Sequence, residues 1–353
     1  MRKVMAGRRT QEPLRLPRGL HTTEGAVSNM TAASAASAPK SGARWAFGAS
    51  AGLVALLLAV LPFSGGRASA RMSPSAAPRV HSMTYCVQGG ESLQMTVFEP
   101  AWRHHDTPAV VQVHGGGWVV GSRLFSLAHS PVARALVSHG LVVASIDYRM
   151  APQFVWPAEI QDVACAVRSL RAHARMLGID PEHIGLFGSS AGGQLVSLLG
   201  TDPDDTSWSS GPYRDESDRV QAVVDEFGPE DLTTGGWSSY MNRLVERAFG
   251  VDAGQRVGVL EQASPALHIG PGDPPFLVAQ GTADRIVPPS QSEELAGRLE
   301  AAHVPTELVL VRGGGHGLGN SGEEPSAGSI DQDVVRFLIT RLEPGGQHRP
   351  PRG

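Results

Sequence analysis

The chain has 353 residues, 41% hydrophobic and 18% charged, with a formal net charge of −4. That composition suits one large packed core. The charge is unevenly placed: nearly a third of the basic residues precede residue 71, among only Glu12 and Glu24, so the remainder is strongly acidic. Such a body excludes nucleic acid as a partner, because clustered positive charge supplies most of that affinity.

Residues 45–63 are uncharged and mostly apolar, preceded by Lys40 and Arg44 and followed by Ala68-Ser69-Ala70. The small-x-small triplet suits a signal peptidase. The run is also just long enough to span a bilayer. A cleaved signal peptide and an uncleaved membrane anchor both remain open. In either case the basic flank keeps the first end cytoplasmic, and the body is expected to be extracytoplasmic, secreted or membrane-anchored. The expected organisation is a basic segment at 1–43, the address at 44–70, a linker at 71–80, a catalytic domain at 81–343 and a disordered tail at 344–353. Met30 is an alternative start. Cys86 and Cys165 are too few for a disulfide framework. Export permits a bridge between them, but the apolar helical position of Cys165 favours a packed thiol. No Cys/His cluster has zinc spacing, so neither metal nor cofactor is expected.

From residue 83 onward, short β-branched runs alternate with helical periodicity, which implies βαβ units and a mostly parallel sheet. Strands at 83–87 and 93–98 form an entry hairpin across Gly89-Gly90. Strands follow at 109–113 and 141–146, then a helix over 157–176 with Ile160, Val163, Ala164, Val167 and Leu170 on one face. A strand at 183–187, a helix at 194–199 and a strand at 220–227 come next. The pattern closes with a strand at 275–279, a helix at 292–302, a strand at 306–311 and a helix at 332–342. The stretch 232–262 reads as a small cap.

Four motifs leave the ends of these strands. Gly188-x-Ser190-x-Gly192, between a strand and an apolar helix, has the form of a nucleophile elbow, whose tight turn leaves no room for side chains two residues either side of the serine. A serine hydroxyl needs a base, and His316, in a glycine run after a strand, is placed to be one. Asp284 would fix the imidazole tautomer; Asp273 is its rival. His114-Gly115-Gly116-Gly117 leaves its strand without side chains, so the amides of Gly116 and Gly117, with that of Ala191, can face an oxyanion. His114 itself reads as a structural hydrogen-bonder. Trp118 either lines a substrate pocket or packs. The chain order Ser…Asp…His is that of α/β-hydrolases.

With Asp147-Tyr148-Arg149, Trp156-Pro157, Ser189-Ser190-Ala191-Gly192-Gly193 and Val287-Pro288, these motifs resemble the bacterial feruloyl/acetylxylan-esterase-like and hormone-sensitive-lipase-like carboxylesterases over residues 81–343. The resemblance implies an α/β-hydrolase fold, with an eight-stranded, mostly parallel sheet, helices on both faces and a small cap insertion. It implies a triad of Ser190, Asp284 and His316, oxyanion donors at Gly116, Gly117 and Ala191, and scaffold roles for Asp147 and Arg149. The expected activity is hydrolysis of small-molecule esters with short acyl chains. Amidase, formamidase, peptidase and acetylated- or feruloylated-xylan readings are alternatives, as is a silent binding protein. Ser189 stands where hormone-sensitive-lipase-like members usually carry Asp, which favours the first group.

Overall fold

The computed structural model describes residues 77–101, 106–202, 207–234, 237–250, 256–319 and 321–343. The apolar run at 45–63, the linker up to residue 76 and the tail from 344 lie outside them. No helix among the described residues is long and apolar enough to cross a membrane.

One eight-stranded sheet organises the body, in the order β1-β2-β4-β3-β5-β6-β7-β8. The strands are β1 (Arg79–Gln88), β2 (Glu91–Glu99), β3 (Thr107–Val113), β4 (Val142–Ile146), β5 (Ile179–Ser189), β6 (Ala222–Glu226), β7 (Phe276–Gly281) and β8 (Thr306–Val311). Only β2 runs against the rest: it pairs antiparallel with β1 and with β4, whereas every pairing from β4 to β8 is parallel. Gly89 and Gly90 close the β1–β2 hairpin with φ of 60° and 82°. A two-residue turn that follows strand twist needs positive φ at both positions.

The central strands are buried on both faces, and alternate residues feed two separate cores. Ala109, Val111 and Val113 of β3 join the side covered by α3 (Ala158–Ala172), α5 (Ala191–Thr201) and α8 (Ser290–Ala301). Val110 faces the other side, with α2 (Pro131–Ser138) and α9 (Ala327–Leu342).

Several details differ from the sequence reading. Two short helices, α1 (Arg123–His129) and α2, follow the glycine loop where none was expected. Each starts at a serine cap: Phe125 N–H donates to Ser122 Oγ at 3.3 Å and Ala133 N–H to Ser130 Oγ at 3.0 Å. The helix expected over 157–176 breaks at His173 into α3 and α4 (Ala174–Leu177), which ends on left-handed Gly178. The expected cap stretch contains α6 (Ser239–Phe249) and α7 (Arg256–Gln262).

Cys165 is not a packed thiol. It is bonded to Cys86 across 79 residues of sequence, tying α3 to β1. Both positions are buried, at 0% and 2% exposed, so the helical face read as core is right and the redox state is not. A loop of that length contributes about 4 kcal/mol on a chain-entropy account.

Candidate active site

The site is assembled from four loops at the carboxyl ends of β3, β5, β7 and β8, where ligands bind in open α/β sheets. The turn from β5 into α5 places Ser190 at φ 56°, ψ −121°. Side chains at its flanking glycines would not fit. A Cβ on Gly188 would lie 2.3 Å from the carbonyl oxygen of Gly192, and one on Gly192 would lie 2.3 Å from that of Val113. The strained serine is held by its own amide, which donates to the Glu226 carbonyl at 2.8 Å.

His316 Nε2 lies 2.9 Å from Ser190 Oγ, and Nδ1 lies 2.8 Å from Asp284 Oδ2. The carboxylate selects the tautomer: Nδ1–H donates to Asp284, and Nε2 is left to accept from the serine hydroxyl. Asp284 has further support. Its Oδ1 accepts from the amides of Ile286 at 2.8 Å and Val287 at 3.0 Å, and Gln280 Nε2 donates to Oδ2 at 3.1 Å. Burial pushes the Asp284 carboxyl up, but the His316 hydrogen bond and charge and the two amides outweigh it and hold it below the ordinary aspartate value. The rival Asp273 accepts from the amide of Gly270 in its own loop at 2.9 Å.

The acid and base loops are stitched together. Ala283 N–H donates to the Gly314 carbonyl at 2.8 Å, and Gly313 N–H to Thr282 Oγ1 at 3.0 Å. The Phe227 ring meets the imidazole edge-on, with centroids 4.8 Å apart. Glu226 and Phe227 thus support nucleophile and base from one corner, Phe227 itself at φ 49°. Sequence reasoning missed both, although the end of a strand beside the elbow strand was the place to look. Ser189 Oγ also donates to Glu226 Oε2, at 2.8 Å.

The glycine loop lies against the elbow, since a Cβ on Gly115 would come 3.2 Å from Ser190 Cβ. Gly116 and Gly117 have φ of 121° and 60°. Among the described residues no acceptor is bonded to the amides of Gly116, Gly117 or Ala191. Ala191 is also the first residue of α5, where the helix dipole favours negative charge. His114 is 5% exposed, stacks on Tyr148 at 4.3 Å, and its Nδ1 bonds the Gly115 carbonyl at 2.8 Å. Burial lowers its pKa, so it is a neutral support for the loop.

Trp118 is corrected as a substrate contact. It is 1% exposed, donates from Nε1 to Gln194 Oε1 at 3.0 Å and packs edge-on against Phe249 at 5.2 Å. Its backbone has a positive φ of 59°, and its indole lies in the core. Asp147 and Arg149 act as scaffold. Arg123 donates to Asp147 through its amide at 2.7 Å and through its guanidinium, and Arg149 pairs with buried Asp162 at 2.8 Å. No group of His, Cys, Asp and Glu among the described residues could hold a metal ion.

Residues 95–299 match the BD-FAE family and residues 257–348 match the TAP-like protein family. The chain belongs to the BD-FAE family. This BD-FAE chain is 32% identical to esterase LipC of Mycobacterium tuberculosis over 225 residues, which are 61% of its own length and 55% of LipC. It therefore spans little more than half of that relative. Among solved structures it is similar to a truncated carbohydrate esterase from gut microbiota, at 26% identity and TM-score 0.64, covering 74% of this chain and 96% of that one. It is also similar to a thermophilic esterase of the planctomycete Thermogutta terrifontis solved with butyrate, at 26% identity and TM-score 0.62, covering 79% and 97%. The same Thermogutta esterase has been solved phosphorylated by paraoxon. The fold of the BD-FAE chain is the α/β-hydrolase fold.

Proposed function

We propose that the protein is a serine carboxylesterase that hydrolyses small-molecule esters with short acyl chains. The observation that carries this reading is the continuous relay Asp284–His316–Ser190, with both links between 2.8 and 2.9 Å. Ser190 Oγ attacks the ester carbonyl as His316 Nε2 takes its proton. The carbonyl oxygen becomes an oxyanion facing the amides of Gly116, Gly117 and Ala191, each such donor being worth about 3 kcal/mol. Collapse expels the alcohol, which receives the proton from His316, and leaves Ser190 acylated. A water molecule, deprotonated by His316, attacks the acyl carbonyl; collapse releases the acid, and His316 returns the proton to Ser190 Oγ. Asp284 stays ionised throughout and stabilises the imidazolium.

The named esterases among the similar proteins support ester over amide chemistry. The test is the full-length enzyme on 4-nitrophenyl acetate beside 4-nitroacetanilide. Ester turnover that vanishes in Ser190→Ala supports the reading; preference for the anilide would replace it with the amidase alternative.

Export belongs to the same proposal. The 45–63 run and Ala68-Ser69-Ala70 favour it, and the Cys86–Cys165 bridge fits an oxidising compartment. Whether the run is cleaved or serves as a membrane anchor is decided by the mature amino terminus: a start near residue 71 means cleavage.

A further inference from the structure

The cap helix α6 comes into contact with the glycine loop. A Cβ on Gly117 would lie 2.7 Å from Leu244 Cδ1, 3.1 Å from Cδ2 and 3.3 Å from Cγ. The Leu244 side chain therefore covers Gly117 and occupies the space that a substituted residue would take. Leu244 is only partly buried, unlike Met241, Val245, Ala248 and Phe249 on the core-facing stripe of the same helix. It sits at the edge of that stripe, between packed interior and open site.

The helix is fastened rather than free to swing. Phe249 packs against Trp118 at 5.2 Å and Trp156 at 5.4 Å, and Trp156 in turn meets Trp208 at 5.4 Å. Trp156 N–H donates to the Ala248 carbonyl at 3.0 Å. Trp118 is tied by its indole to Gln194, whose amide donates to the Ala263 carbonyl at 2.7 Å. The residue directly after the oxyanion glycines and the helix carrying Leu244 thus share one aromatic cluster. The distance between Gly117 and Leu244 is set by packing that few side chains can escape.

We propose that Leu244 is the specificity-determining residue of the site, a fixed ceiling beside the oxyanion hole that limits the bulk an ester carries next to its reacting carbonyl. The inference rests on the esterase reading of Gly116, Gly117 and Ser190. Its chemistry is steric. A tetrahedral carbon whose oxyanion faces Gly117 brings its neighbouring groups towards the isobutyl group of Leu244, and each methylene that fails to fit loses binding in the transition state. A pocket discriminates about tenfold or more for a methylene it cannot admit.

The experiment compares wild type, Leu244→Ala and Leu244→Phe on two series: 4-nitrophenyl esters from acetate to octanoate, and alkyl acetates from methyl to hexyl. For whichever side of the carbonyl faces Leu244, the Ala variant raises the kcat/KM ratio of the longest to the shortest ester by about tenfold, and the Phe variant lowers it. Opposite movements of that ratio support the proposal, because a structural defect depresses all substrates together. Ratios unchanged in both series, or a uniform fall in both variants, overturn it. Ser190→Ala, run alongside, separates the two levels: turnover persisting there refutes Ser190 as the nucleophile and with it the site reading on which the ceiling rests, whereas its loss with flat Leu244 ratios refutes only the ceiling.

Discussion

Two sets of buried carboxylates lie at the carboxyl ends of adjacent strands, and they are treated oppositely. Asp284, after β7, receives the His316 ring, two backbone amides and the Gln280 amide, and it stays ionised below the usual aspartate range. Asp225, on β6, and Glu230, four residues beyond that strand, are both 0% exposed. Asp225 Oδ1 accepts from Gly228 N–H at 3.0 Å, and a Cβ on Gly228 would meet Glu230 Oε1 at 2.2 Å and Asp225 Oδ1 at 2.6 Å. Burial pushes both carboxyls up; Asp225 adds to the cost of ionising Glu230, while hydrogen bonds from Gly228 and Glu230 only partly offset burial at Asp225. Burial alone does not decide charge; the number of donors aimed at the carboxylate does. Glu159 on α3 shows the same: 1% exposed, it is pushed up to about 8 by burial, and its oxygens meet no donor from another described residue.

The strongest test of the ionised side removes the group that Asp284 serves. His316→Ala should lower kcat on 4-nitrophenyl acetate by about a millionfold, as for an isolated loss within a cooperating triad. Asp284→Asn keeps the shape but supplies a donor where an acceptor is needed, which turns the imidazole tautomer. A drop of about 10,000-fold in kcat is expected at neutral pH. An effect of only a few-fold would mean the carboxylate does not orient the base.

The protonated side is tested by stability. Reduction of Cys86–Cys165 frees α3 from β1, and the loop-closure account predicts a loss of about 4 kcal/mol in unfolding free energy. Chemical denaturation with and without dithiothreitol measures it; equal midpoints would contradict the tie. Glu159→Gln gives the smallest effect and the clearest sign. Below pH 4.5 the folded and unfolded chains both keep the Glu159 proton. As the pH rises towards about 8, the unfolded chain releases the proton while the folded chain holds it, so native stability falls across that window and then levels off. The Gln variant removes the fall. Its Tm gain over wild type should be larger at about pH 8 than at about pH 5. Asp284 runs the other way: its folded value is depressed, so its contribution is present above pH 3.8 and is lost as pH falls through the folded value.

The site was legible in sequence where a backbone constraint writes itself into composition. Gly188 and Gly192 have no space for a Cβ, Gly116 and Gly117 sit at positive φ, and the strands between these motifs are β-branched runs. Partnerships across long sequence separations were not legible. The Cys86–Cys165 bond closes 79 residues, and nothing local marks it. Trp118 was ambiguous because its direction depends on its own φ and on Gln194 and Phe249, far along the chain. Helices α1 and α2 were missed for another reason. At 7 and 8 residues they are too short to show periodicity, although Ser130-Pro131 carries a readable start signal. Leu244 has no motif at all; only the fold brings it to Gly117.

The most direct test of the central claim is to locate the nucleophile chemically. The full-length enzyme is inactivated with paraoxon, digested, and the phosphorylated residue is identified by peptide mass spectrometry. The account predicts one diethylphosphoryl group per chain, on Ser190, with turnover of 4-nitrophenyl acetate falling in proportion and no adduct in His316→Ala on the same timescale. An adduct on another residue, or full inactivation with Ser190 unmodified, would contradict it.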